Sequence, residues 1–222
     1  METLTTTNSV TLSGQITASL VYSHEVYGEK FFCTTISVQR LSGMTDVVPI
    51  TLSERLMADR TLNEGDFVCI KGQFRSYNKI DKERSRLMLT VFIRDLLPYD
   101  DAYTNSIELS GFICKEPIFR TTPFMREICD CLLAVNRAYN KSDYIPCIAW
   151  GRNARYIRSL SIGDRLTVTG RIQSRQYVKK ITEQLSENRT AFEVSINKID
   201  CNAVTEPVQY DENVDQTAAT CE

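Results

Sequence analysis

The sequence predicts an all-β (mainly β) chain: two tandem five-stranded Greek-key barrels, each with a short helix. Three observations carry this. An internal repeat divides the chain, strand-like patterns fill each copy, and one helical stripe interrupts the strands. The repeat is the strongest. Asn8, Ser9, Leu12, Ser13, Gly14 and Ile16 of NSVTLSGQI return 97 residues later as Asn105, Ser106, Leu109, Ser110, Gly111 and Ile113 of NSIELSGFI. Val38, Arg40, Asp46 and Pro49 return at the same offset as Val135, Arg137, Asp143 and Pro146. After one inserted residue, Gly65, Asp66, Gly72 and Ser76 return as Gly163, Asp164, Gly170 and Ser174. The expected domains are 8–98 and 105–202, joined by the acidic PYDDAYT stretch (98–104). An acidic tail, 203–222, has the composition of a disordered segment.

The elements follow in order from the second copy. Residues 106–114 and 128–137 alternate or run apolar, as strands do. In 144–150, Ile145, Cys147 and Ala149 point to one face and Tyr144, Pro146, Ile148 and Trp150 to the other. Ala154, Ile157 and Leu160 then fall at helical spacing, with Arg152, Arg155 and Arg158 off the stripe and Gly163 placed to end the helix. A long strand over 165–180 alternates Leu166, Val168 and Ile172 with Arg171, Arg175, Tyr177 and Lys179. A polar loop, 181–190, leads to a last strand, 191–201. Glycine-bearing strands in this order can bend into a small closed barrel.

Composition removes several function classes. The chain carries no run of residues apolar enough to span a bilayer, and METLTTTNSV lacks a secretory pattern, so a cytoplasmic location is expected. Cys33, Cys69, Cys114, Cys147 and Cys201 sit in apolar runs as small core residues. The Cys129/Cys131 pair has no second pair or histidine cluster, and His24 is the lone histidine, so no metal or cofactor is expected. Asp143 and Asp164 stand at turns, repeated by Asp46 and Asp66, and no catalytic motif accompanies them. No catalytic residue is therefore expected. Formal charge is −2, yet residues 105–200 carry +5, 8–98 carry +1, and the termini and linker hold eight uncompensated acids. The second copy is modestly basic beneath an acidic total.

The second copy resembles the bacterial single-stranded DNA-binding protein family, whose fold is the OB barrel. The matching stretches are NSIELSGFICKEPIFRTTP, CLLAVNR, DYIPCIAWGRNARYI and GDRLTVTGRIQSRQY, over about 105–180; the first copy matches more weakly, in NSVTLSG and GDFVCIKGQFRS. The resemblance implies base stacking by Tyr139, Tyr144, Trp150 and Tyr177. It implies phosphate contacts from Arg120, Arg137, Arg152, Arg171, Arg175 and Lys179, with single-stranded DNA as the partner. Parity agrees independently: Tyr144 shares a face with Trp150, and Tyr177 with Arg171, Arg175 and Lys179. Members with two barrels per chain pair as homodimers presenting four barrels, which is the implied assembly, and replication or repair proteins are implied partners.

The chain also departs from that family. In the first copy, Ser42, Val47 and Ser53 replace Tyr139, Tyr144 and Trp150, leaving Tyr77 beside Lys71 and Arg75 as weaker contacts. That copy is structural, is buried in an oligomer, or binds DNA less strongly; Tyr22, Tyr27, Phe31 and Phe32 fit a hairpin and core. The tail lacks the family's acidic-apolar tip, and RTTPFMRE has Phe124 and Met125 where the family often has glycine. Two functional readings stay open. One is sequence-independent strand protection in replication, recombination and repair. The other is a primosome-type or accessory adaptor with weak DNA or RNA binding.

Overall fold

The computed structural model describes residues 7–58, 61–81, 84–99, 104–180 and 186–200. The linker residues 100–103, Cys201 and the acidic segment 203–222 lie outside the described residues. The first copy contains β1 (Asn8–Ile16), β2 (Val21–Val26), β3 (Glu29–Gln39), β4 (Thr45–Ser53), β5 (Phe67–Asp81) and β6 (Arg84–Leu97). The second contains β7 (Asn105–Ile113), β8 (Ile118–Thr121), β9 (Glu127–Arg137), β10 (Lys141–Trp150), α1 (Gly151–Arg158), β11 (Arg165–Lys180) and β12 (Ser186–Asp200).

In each copy five strands pair in a closed ring. β1 pairs with β3, β3 with β4, β4 in parallel with β6, β6 with β5, and β5 with β1. The second ring, β7–β9–β10–β12–β11–β7, repeats every step. β2 and β8 are hairpin arms added outside the rings on β3 and β9.

Each ring closes around alternating apolar residues. Leu12, Ile36, Ile50, Ile70, Phe74 and Val91 fill the first, and Leu109, Leu133, Ile145, Val168, Ile172 and Val194 the second. Tight closure needs glycine at defined places. A bulge falls at Lys71/Gly72 in β5 and at Thr169/Gly170 in β11, and a Cβ on Gly72 or Gly170 would collide with the carbonyl oxygen of Phe92 or Ser195. Beyond each bulge an asparagine side chain stands in for a backbone partner. Asn8 donates to Phe74 O at 2.7 Å and accepts from Phe74 N at 2.9 Å. Asn105 does the same with Ile172, at 2.8 and 2.9 Å. That role explains the asparagine opening both repeats.

The structure corrects several sequence expectations. Helix α1 ends at Arg158, and Gly163, at φ +94°, forms the turn into β11 instead of capping the helix. Residues 186–190, read as loop, are strand: Arg189 faces Tyr177 and Glu187 faces Lys179 across the β11–β12 pair. Alternating polar residues look like a loop when both faces meet water. The short helix of the first copy is a 3-10 turn, Glu54–Met57, with the buried Ser53 Oγ accepting from Arg55 N at 3.1 Å. Cys33 and Cys114 are half-buried rather than core; Cys69, Cys129, Cys131 and Cys147 are buried. Asp143 is not an isolated turn residue but is buried within β10.

Candidate nucleic-acid interface

Two barrels become one body through β1 and β7, which pair antiparallel with Val10 opposite Ile107. These two residues are repeat equivalents, so the contact is isologous within a single chain. Polar contacts then cross the junction in both directions. Buried Asp46 accepts from Arg40 Nε at 2.6 Å and from Ser174 N of the other copy at 2.7 Å. Burial opposes its charge, but the Arg40 and Ser174 hydrogen bonds outweigh this and hold its carboxyl below the usual range. Asp143 repeats the arrangement, accepting from Ser76 N at 2.8 Å, with Arg137 Nη1 at 3.6 Å. Tyr144 N donates to Ser76 Oγ at 2.8 Å. The start of β10 is thereby pinned to the first copy.

That strand presents the aromatic row. Ile145, Cys147 and Ala149 point into the core, while Tyr144 is 46% exposed and Trp150 41% exposed. Ile148 shares the outward parity but is buried, so the row breaks between Pro146 and Trp150. Gly151 follows at φ +54°, a conformation that turns the chain sharply from strand into α1 and leaves Trp150 at the corner. Ala154 and Ile157 anchor the helix to the core, and Arg152, Arg155 and Arg158 face outward. Trp150 borders a groove of about 650 Å³ with Thr121, Met125, Arg126, Glu127 and Gly151.

Tyr139 stands at the β9–β10 turn, 94% exposed, at φ +63°. Tyr177, 37% exposed, shares a groove of about 210 Å³ with Pro146 and Phe192. Arg86 and Leu87 from the first copy close that groove, and Arg189 lies along it. Pro146, which shares the outward parity of Tyr144 and Trp150 on β10, thus lies in the same groove as Tyr177. Neither Arg86 nor Arg189 is among the residues picked from sequence. The signal for Arg189 was its register opposite Tyr177, hidden while 186–190 read as loop.

The cations picked from sequence fall into different settings. Arg120 pairs with Asp130 at 2.8 Å, and Arg175 Nε lies 3.9 Å from Glu193 with its guanidinium 5.8 Å from the Tyr177 ring. Arg137 faces Asp143 at the junction. Arg171 lines a separate groove of about 500 Å³ with Arg40, Leu41 and Asn197. Arg152 and Lys179 are exposed, with no carboxylate within ion-pair distance among the described residues.

The first copy offers a different face. Ser53 is buried and Val47 is exposed where the second copy has Trp150 and Tyr144. Tyr77 and Lys71 are exposed, and Arg75 lies over the Phe92 ring at 3.8 Å. In the β1–β5 and β7–β11 registers, Gly72 pairs with Val10 and Gly170 with Ile107, which makes Arg175 the counterpart of Tyr77. Phe31 is buried and Tyr27 stands at a hairpin tip, in keeping with a core and hairpin role.

The sequence model of the single-strand binding protein family matches residues 104–201. Single-stranded DNA-binding protein 3 of Streptococcus agalactiae serotype V is 31% identical over 97 residues, covering 38% of this chain and 70% of that relative. The chain belongs to the single-strand binding protein family. Single-stranded DNA-binding protein 1 of Staphylococcus aureus is 32% identical over 107 residues, covering 45% of this chain and 59% of the relative. The chain thus spans less than two thirds of the length of that relative. The solved structure of wild-type single-stranded DNA binding protein from Thermus aquaticus superposes with a TM-score of 0.67 at 22% identity, covering 91% of this chain and 96% of that one. In this member of the family, then, both halves are OB barrels.

Proposed function

We propose that the chain is a non-enzymatic protein that binds and protects single-stranded DNA without sequence preference, in replication, recombination and repair. The exposed rings of Tyr144 and Trp150 on one face of β10, with Tyr177 in the groove beside Pro146, are the observation that carries this reading. Each ring leaves part of its surface open, and single strands offer base faces to stack on it. Each stack is worth about 1–3 kcal/mol, and one OB barrel covers about 4–16 nucleotides. Tyr139 adds a fourth ring from the β9–β10 turn, where it stands exposed. Arg152, Lys179 and Arg171 supply phosphate contacts, with Arg120 and Arg175 contributing less because each already faces a carboxylate. Lys71, Arg75 and Tyr77 form the weaker set of the first domain, 8–98, against the stronger set of the second, 105–202. The proposed assembly is a cytoplasmic homodimer presenting four barrels. The accessory-adaptor reading draws on the first copy, whose face lacks the aromatic row.

Trp150 is the lone tryptophan, so its fluorescence reports the site directly. Titration with oligo(dT) is expected to quench it, more weakly at higher salt and not with duplex DNA. Unchanged emission together with no complex on a gel would transfer the case to the adaptor reading.

A further inference from the structure

The arginines of the first copy are arranged in a way the second copy does not repeat. Arg75 lies face-on over Phe92 at 3.8 Å, and Arg94 approaches the same ring at 5.6 Å. Both donate to one neutral acceptor. Gln73 Oε1 receives Arg75 Nη2 at 2.8 Å, Arg75 Nε at 3.3 Å and Arg94 Nη2 at 3.4 Å. Two guanidinium groups share a ring and an amide, and no carboxylate among the described residues forms an ion pair with either. Arg75 is half-buried and Arg94 exposed, so the pair is open on one side.

The second copy shows what is missing. The bulges place Gly72 opposite Ile93 and Gly170 opposite Ile196, so Thr90 corresponds to Glu193, Phe92 to Ser195 and Arg94 to Asn197. There, buried Glu193 accepts from Gln173 at 2.7 Å and lies 3.9 Å from Arg175. Where the second copy has that carboxylate, Ser195 and Asn197, the first has Thr90, the aromatic floor of Phe92 and the second arginine. Like charges so placed repel each other, and an anion from outside the barrel would relieve that repulsion. Burial first, then Arg94 and Arg137, pull the Arg75 pKa down to about 10, with the Asp143 carboxylate opposing them in part.

We propose that Arg75 and Arg94, oriented by Gln73 and Phe92, form a phosphate site that holds the backbone of a strand passing from the second barrel onto the first. This rests on the single-stranded DNA reading above. Each guanidinium is a rigid fork matching two phosphate oxygens, and stacking on Phe92 fixes its plane. The location suits a passing strand. Ser76, next to Arg75, bonds both Asp143 and Tyr144 N, and Arg137, close enough to depress Arg75, begins the turn that carries Tyr139. A strand stacked on Tyr144 and Tyr139 leaves the second barrel beside this cluster. The first barrel then grips backbone where the second grips bases.

The test measures affinity against salt for the full chain and for Arg94→Gln, an exposed change that leaves the fold intact, with Arg75→Gln beside it. An oligo(dT) of about 12 nucleotides fills one barrel, whereas one of about 35 reaches both. For the long oligonucleotide, each substitution should reduce the slope of log affinity against log salt by about 0.7, with the short one unaffected. An unchanged slope with intact wild-type binding overturns this site alone. Failure of the wild-type chain to bind either oligonucleotide overturns the single-stranded DNA reading and the site with it. Arginine Nε–H resonances separate the sources of phosphate. Shifts of Arg75 and Arg94 with oligo(dT) support the strand, while shifts with inorganic pyrophosphate only would assign the cluster to a small anion and overturn the proposal.

Discussion

The two barrels close by the same pairings yet differ in the side chains on their outer faces. Gly72 and Gly170 sit at matching bulges, Asn8 and Asn105 make the same two-point bond beyond them, and Asp46 and Asp143 cross the junction reciprocally. Outside that skeleton the copies diverge: Val47 and Ser53 against Tyr144 and Trp150, Thr90 against Glu193, Arg94 against Asn197. Closure and docking are set by a few buried polar groups and close backbone approaches. Side chains on the outer faces lie outside those demands, so the faces differ while the frame matches.

The comparison can be broken most forcefully at the aromatic row. Tyr144→Ala with Trp150→Ala should weaken oligo(dT) binding by about 2–6 kcal/mol, read by anisotropy of a labelled oligonucleotide. Val47→Ala, at the place matching Tyr144 in the first barrel, should leave it within about twofold. Equal losses would show that the two faces are not functionally distinct. Next comes the junction. Asp46→Ala removes the acceptor of Arg40 and of Ser174 N and should cost about 2–4 kcal/mol in urea unfolding. Asp143→Ala should cost less, because its arginine stands 3.6 Å away and not at hydrogen-bonding distance.

A pH series sharpens the same point. Because Asp46 has a lowered carboxyl pKa in the folded chain, its contribution is complete above the unfolded value of about 3.9 and is lost as pH falls through the folded value. Stability of the wild-type chain should therefore drop more steeply below about pH 4 than that of Asp46→Asn, followed by thermal melting. The smallest effect concerns Glu193. Glu193→Gln frees Arg175 and should steepen the salt dependence of oligo(dT) binding by at most about 0.7. An unchanged slope would mean that Arg175 makes no phosphate contact.

Much of the frame was legible because repetition and periodicity are local properties of a sequence. The 97-residue offset runs through matching strands of the two rings, and the parity of Ile145, Cys147 and Ala149 points Tyr144 and Trp150 outward. Ile148 shows the limit, since strand parity alone does not report burial on the outer face. Asp143 shows another: its partner Ser76 lies 67 residues away, so sequence offered only a lone acid before a strand. Arg189 was missed for a related reason. Its strand, 186–190, alternates between two wet faces and carries no apolar period. The Arg75–Arg94 cluster depends on the β5–β6 register, which no short motif encodes.

Pairing of β1 with β7 has a last consequence. Two separate barrels meeting along such a seam would form a population set by concentration, with copies of each kind mixing at random. Here the seam lies within one polypeptide, so the second event is intramolecular and insensitive to dilution. Stoichiometry is one to one in every molecule, and an aromatic half always arrives with an arginine half. Specialisation of the halves needs no recognition step to sort them.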